Sequence, residues 1–235
     1  MPEPALLEPL PRKTILPPLE AGDRLSRAEF ERRYEATPKS VHAELLEGEV
    51  YFAEPKRWGR HTLPQGRLLH LLLTYQTATP GSAAGGETTL RLDEENEPQP
   101  DVVMFVHPKN GGQATIDDDE YLQGAPELVG EIAASSVSID MHKKLEIYRR
   151  NPIREYVVWR VFDEAIDWFA WRDGKYVPLP ADEHVVRSEA FPGLWINVPA
   201  LLADRWPEVQ KTLQAGLSNP EHAAFGAKLH AAKTK

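Results

Sequence analysis

Apolar positions along this chain come in short runs whose period changes from one stretch to the next. Residues 43–52 set Ala43, Leu45 and Leu46 against Val50, Tyr51 and Phe52 across Glu47-Gly48, which predicts two short strands around a tight turn. From His61 to about Thr77 the leucines at 63, 68, 69, 71, 72 and 73 are dense enough for a buried helix, with Pro64 confined to its first turn. A glycine-rich connection is expected over 81–86. Residues 88–92 alternate as a strand, and 100–106 and 128–133 read as buried strands, the second with Glu131 inside it. Ser138 is placed to cap a helix to about Arg150, and 154–161 returns as a strand rich in Tyr, Val and Trp. Strand, helix, strand in that order predicts a right-handed crossover. Residues 165–171 and 175–179 flank Asp173-Gly174, a hairpin signal. At the ends, Ser26-Arg27-Ala28-Glu29 matches a capping box for a short helix to about Pro38. Residues 199–217 predict an amphipathic helix, and 218–235 a weaker helix or frayed tail.

Composition divides the chain further. Six prolines among the first 23 residues prevent helix and leave little to bury, so 1–23 is expected as a Pro-rich N-terminal arm, 24–202 as the main domain and 203–235 as a C-terminal helical tail. A length of 235 residues is ample for a core without disulfides. The absence of Cys removes disulfide scaffolds, Cys-ligated zinc, iron–sulfur clusters and thiol nucleophiles, and fits a reducing cytoplasm. No apolar run approaches the roughly 18 residues of a spanning helix, and no signal-peptide pattern opens the chain, so no membrane partner is expected. The net charge of −9 argues against coating nucleic acid by bulk charge, but that charge is concentrated. Residues 87–140 hold 13 acidic and two basic residues, a solvated acidic loop or a place where carboxylates gather around a divalent cation.

No phosphate-binding glycine loop, nucleophile elbow, zinc helix or calcium loop is present. What remains is a set of ionisable residues inside apolar strands, where an unpaired charge is costly. Asp101 opens the run Val102-Val103-Met104-Phe105-Val106, where a lone Asp ordinarily makes a turn hydrogen bond. Glu131 lies between Leu128-Val129 and Ile132-Ala133-Ala134, and its carboxylate must reach a cation, a metal or a strand edge open to water. Asp140, Lys144 and Tyr148 recur at intervals of four and share one helix face. Either Asp140 and Lys144 form an exposed pair, or Lys144 reaches back over the strand ends toward Glu131 and Asp101.

These residues, taken in order, resemble a large bacterial family of restriction endonuclease-like proteins within the PD-(D/E)XK nuclease superfamily. The carriers are Glu44-Leu45-Leu46-Glu47-Gly48-Glu49, His61 opening a leucine-rich helix, Gln99-Pro100-Asp101-Val102, residues 124–132, Asp140 with Lys144 and Tyr148, and Arg154-Glu155-Tyr156. The resemblance covers about residues 25 to 202. It implies an α/β (α+β mixed) fold, with a restriction endonuclease-like core of a central mixed sheet flanked by helices. It further implies Mg²⁺ or Mn²⁺ on Asp101 and Glu131, Glu44 as an additional acidic residue, Lys144 as the catalytic lysine, and DNA as partner.

The superfamily's usual lysine position, two after the Glu, holds Ala133 here, and Lys144 matches the family's displaced lysine better than Lys143. Many relatives carry Ser-Pro-Ser-Thr where this chain has Ala134-Ser135-Ser136-Val137. Two roles for Lys144 stay open, orienting the attacking water or accepting its proton. His61 is expected either at phosphate or water or as a helix cap, with Asp140 and Tyr148 as auxiliaries. Arg57, Arg60, Arg67, Arg149, Arg150 and Arg154 are candidate phosphate contacts. Metal-dependent phosphodiester hydrolysis is the leading expectation. A catalytically inactive nuclease-fold protein acting as a binding or scaffold module is the alternative, and a homodimer is one assembly compatible with either.

Overall fold

A computed structural model describes residues 16–233. After α1 (Arg27–Glu35), the hairpin of β1 (Ala43–Leu46) and β2 (Glu49–Phe52) turns on Glu47 and Gly48, both at positive φ, as a tight hairpin requires. A π-helical turn, Trp58–Thr62, leads into α2 (Leu63–Ala78). Next come β3 (Ser82–Gly86), β4 (Leu90–Arg91), β5 (Val102–Val106), β6 (Thr115–Ile116), β7 (Leu122–Gln123) and β8 (Leu128–Ala133). A second π-helical stretch, Ile139–Lys144, runs into α3 (Leu145–Arg150). Then follow β9 (Glu155–Arg160), β10 (Ala165–Arg172), β11 (Lys175–Pro178), β12 (Ala181–Asp182), β13 (Val185–Arg187) and β14 (Trp195–Asn197). The helices α4 (Val198–Leu202), α5 (Trp206–Leu217) and α6 (Pro220–Lys233) close the described chain.

The central sheet has six strands in the order β11-β10-β9-β8-β5-β3. Only β8 and β9 run parallel, joined by the helical segment between them, and the remaining neighbours are antiparallel. Successive side chains of the buried strands point to opposite faces and divide the core. Val102, Met104, Val157 and Trp159 pack with Leu68, Leu72 and Tyr75 of α2 and with Leu213 of α5. Val103, Val129 and Val158 pack on the other face with Ile147, Tyr148 and Tyr156. The sheet is therefore mixed and covered by helices on both faces.

Several elements depart from the pattern-based reading. Residues 82–86 form an edge strand, laddered to β5 from Ser82 opposite Val106 to Gly86 opposite Val102, rather than a loose connection. Ser-Ala-Ala-Gly-Gly has low strand propensity, yet smallness is what the place demands. A Cβ on Gly86 would meet the Asp101 carbonyl at 3.2 Å and Leu69 at 3.4 Å. The single helix expected over 199–217 is broken at 203–205, where Asp204 has φ 58°, because Pro207 in the first turn of α5 has no N–H to continue a helix. After 218, where a weaker helix or frayed tail is expected, the helix α6 forms and buries Leu229 in the same cluster as Leu213. Of the Pro-rich arm, residues 1–15 lie outside the described residues, while Leu19 packs with Phe30, Ala43, Leu45 and Val50. Among the described residues, no helix is long and apolar enough to cross a membrane.

Candidate active site

Asp101 immediately precedes β5, and the antiparallel register of β5 with β8, Val102 opposite Gly130, brings it beside the Glu131 end of β8. Gly130 makes that approach close, since a Cβ there would lie 2.7 Å from Val102 and 3.2 Å from Leu68. Asp101 is buried, and its Oδ2 accepts from the Ile132 N–H at 2.8 Å. Its Oδ1 faces Lys56 Nζ at 3.2 Å and His61 Nε2 at 2.9 Å. The His61 contact sets this buried ring nitrogen against the Asp101 carboxylate. Burial pushes the Asp101 carboxyl up, but His61, Lys56 and the Ile132 N–H outweigh it and hold it below the usual carboxylate value. Lys56 also reaches Glu87 at 2.6 Å.

Glu131 is served differently. Its Oε1 accepts from Lys144 Nζ at 3.1 Å and from the Tyr148 hydroxyl at 2.8 Å. Lys144 continues to Glu44 Oε1 at 2.9 Å, which also accepts from the Gln99 N–H at 2.5 Å. The spacing argument thus holds in its sharper form: Lys144 points inward, and Lys143 points to Glu49 and Tyr51 at 3.2 and 2.6 Å. Asp140 is buried on the same face, but its partner is the Ser136 hydroxyl at 2.5 Å. Ser138 makes no side-chain cap, and a π-helical turn begins in place of the expected α-helix.

Other buried carboxylates sharpen the contrast. Glu127 accepts from the backbone N–H groups of Val106 and Gln113, and Glu155 from Ser188, Glu189, Ala190 and Trp168, so both are tied into loops as structural acceptors. Among the described residues, the hydrogen bonds to the Glu131 carboxyl come instead from an ammonium and a phenol. Burial raises its carboxyl well above the ordinary value; Lys144 opposes this, while Asp140, Asp101 and Glu44 add to it. Burial likewise takes Asp140 up to about 6. Burial pulls Lys144 down, but Glu131, Glu44 and Asp140 more than reverse it, so the ammonium stays charged. One buried lysine thus stands among several acids, and burial together with that crowding raises the carboxyls of Glu131 and Asp140.

Among the described residues no group of three His, Asp or Glu is gathered closely enough to hold a metal ion. Asp101 and Glu131 nevertheless supply two hard oxygen donors on adjacent strands, in a pocket with excess negative charge. Mg²⁺ commonly takes one or two carboxylates and completes its shell with water and phosphate, so the donor set fits it. Lys56 is the site residue that pattern reading missed. It stands in an irregular segment without periodicity, and its only sequence signal is the basic stretch Lys56-Arg57-Trp58-Gly59-Arg60-His61. Of the arginines considered for phosphate, Arg67 pairs with Asp204, Arg149 with Glu146 and Arg150 with Glu47, while Arg57 and Arg60 have no ion pair among the described residues.

The pattern of the Uma2 family, described as putative restriction endonuclease, matches residues 27–199. No curated protein matches the chain. A crystal structure of a putative nuclease belonging to DUF820 from Anabaena variabilis is similar, with a TM-score of 0.57 over 73% of this chain and 96% of that one. At 12% identity the likeness is one of fold, and the mixed, helix-flanked sheet is of the restriction endonuclease-like kind.

Proposed function

From the premise that this chain belongs to the Uma2 family, we propose that it is a metal-dependent nuclease hydrolysing phosphodiester bonds in DNA. The observation that carries the reading is Lys144, brought from the helix after β8 to lie between Glu131 and Glu44 at the strand end that bears Asp101. Asp101 and Glu131 would hold Mg²⁺ or Mn²⁺, which when bound supplies an activated water and charge against the phosphate oxygens. Lys144, fixed by two carboxylates and kept charged, orients water or phosphate by donating from Nζ, and its raised pKa argues against its accepting a proton. Tyr148, whose phenol burial and Glu131 hold protonated, donates to Glu131 and fixes its rotamer. His61, whose Nε2 stands 2.9 Å from Asp101 Oδ1, would meet an incoming phosphate or water beside that carboxylate.

The second reading, a non-cleaving binding module, draws on one observation: Lys56 and His61 already occupy Asp101 Oδ1, and Ile132 occupies Oδ2. Plasmid cleavage with Mn²⁺ separates the two. Glu131→Gln keeps the shape of a group whose raised pKa already favours the neutral form, so folding should survive. We expect cleavage by wild type, a loss of about 10² or more in single-turnover rate in Glu131→Gln, and Mn²⁺ affinity weakened at least about tenfold by calorimetry. Mn²⁺ binding and cleavage unchanged in the variant would remove Glu131 from the chemistry. A wild type that binds DNA without cutting it would favour the binding module.

A further inference from the structure

The segment Glu54–His61 passes over the carboxylate end of the sheet and is tied down at several points. Glu54 accepts from the Ser135 hydroxyl at 2.8 Å, just beyond β8. Lys56 and His61 both stand on Asp101 Oδ1, at 3.2 and 2.9 Å. Between these two contacts the chain has only Arg57, Trp58, Gly59 and Arg60, the last three in the π-helical turn Trp58–Thr62, so they are held close to Asp101. The Arg60 guanidinium lies over the Phe162 ring, 5.0 Å from its centre, and Phe162 follows the end of β9.

This rim holds the two most exposed large apolar side chains of the described residues, Trp58 at 70% and Phe162 at 59%. The Trp58 indole, on a π-helical turn tethered at both ends, belongs to no core cluster. The residues from Lys56 to His61 include three full cations and no carboxylate, in a chain of net charge −9. Lys56 is committed to Asp101 and Glu87, whereas Arg57 and Arg60 have no ion pair among the described residues. The exposed Trp58 indole and the Phe162 ring, one face of which Arg60 covers, stand with guanidinium groups that have no ion pair among the described residues, and such a surface fits a ligand that alternates π-faces with phosphates. In a duplex the base faces are covered by their neighbours, so such a surface has its partner in a strand whose bases are unstacked.

We propose that Trp58 and Phe162, with Arg57 and Arg60, form a base-stacking platform that makes single-stranded or locally unpaired DNA the substrate class of this site. The proposal rests on the nuclease reading for the word substrate, but the platform itself is a binding surface and is tested without turnover. The probes are a labelled oligothymidine strand of about 20 nucleotides and a duplex of equal length, followed by fluorescence anisotropy with EDTA present. Wild type should bind the single strand more tightly than the duplex at the same salt. Trp58→Ala and Phe162→Ala should each weaken single-strand binding about tenfold or more, about 1.4 kcal/mol, with duplex binding little changed. Trp58→Phe should restore most of the loss, and unchanged melting of all three variants excludes a folding defect.

Equal or stronger duplex binding, indifference to both substitutions, or no binding to either probe would overturn the platform. Those results leave the Mn²⁺ cleavage test on Glu131→Gln standing. Conversely, single-strand preference that depends on Trp58, in a protein that never cuts DNA, would uphold the platform and end the nuclease reading.

Discussion

Replacing Glu97 by Gln is expected to flatten the fall of stability with rising pH. Glu97 lies between β4 and β5, and its backbone ladders with Leu45 through bonds of 2.8 and 3.2 Å, which fixes its side chain beneath α1. Burial, and then the Glu31 carboxylate beside it, raise its carboxyl from 4.5 to about 8 against the pull of Arg91 and Arg27. Those arginines are engaged elsewhere: Arg91 with Glu31 at 2.9 Å and Asp117 at 2.6 Å, and Arg27 with Glu31 at 3.4 Å. A folded-state pKa above the unfolded one means that the native chain keeps a proton the unfolded chain releases. The contribution is therefore complete below about 4.5, declines as pH rises to about 8, and stays lost above that. At about 1.36 kcal/mol per tenfold in proton affinity, the rise from 4.5 to about 8 caps the loss at about 5 kcal/mol, and water reaching the carboxylate lowers it to about 2–4 kcal/mol. The amide of Glu97→Gln is the neutral form made permanent. Urea unfolding should give nearly equal stabilities at pH 5 and a variant more stable by about 2–4 kcal/mol at pH 9, with m unchanged. Parallel pH profiles for the two proteins would refute the assignment.

Lys144→Met leaves Glu131 and Glu44 without their ammonium and should cost about 3–5 kcal/mol near neutral pH, whereas Lys143→Met, whose partners are partly solvated, should cost under about 1 kcal/mol. Adding Glu131→Gln to Lys144→Met should recover most of that stability in urea titrations but none of the cleavage, which parts packing from chemistry; no recovery would mean that Lys144 answers chiefly to Glu44. Leu19→Ala should lower stability by about 2 kcal/mol, since Leu19 is buried against Phe30 and Leu45. A change within about 0.5 kcal/mol in the same titration would show the 16–23 stretch to be dispensable.

Where hydrophobic period and turn chemistry agree, the fold is legible in the sequence. Glu47-Gly48 and Asp173-Gly174 both turn hairpins at positive φ, and the apolar runs at 102–106 and 128–133 are the buried strands at the centre of the sheet. What escapes depends on contacts distant in sequence. Residues 82–86 look like a linker by composition, and become a strand because β5 offers them a ladder and α2 closes over their missing side chains. The short strands β12, β13 and β14 form their own sheet, though each is only two or three residues long. Runs that short carry no period to read. The expected helix over 199–217 is too long because its amphipathic stripe continues across a break that Pro207 imposes.

The site divides along the same line. Glu131 stands out because a charge inside an apolar strand demands a partner, and Lys144 because a four-residue ladder selects it over Lys143; both inferences use distances along one element. Lys56 belongs to no element, and its place on Asp101 follows from the route of 53–61 across the sheet end. That route has a consequence for the chemistry. Lys56 and His61 stand on Asp101, and Lys144 stands on Glu131, so each carboxyl group has its own nitrogen partner before any ligand arrives. A divalent cation taken at Asp101 must compete with Lys56 and His61 for the same oxygen. Glu131 would present the opposite case to a cation, since burial raises its carboxyl and favours the protonated form that a metal would have to replace. Cation affinity at this site should accordingly be governed less by the number of acids in 87–140 than by how readily Lys56 withdraws, and Glu87, exposed and already paired with it at 2.6 Å, is the carboxylate positioned to receive it.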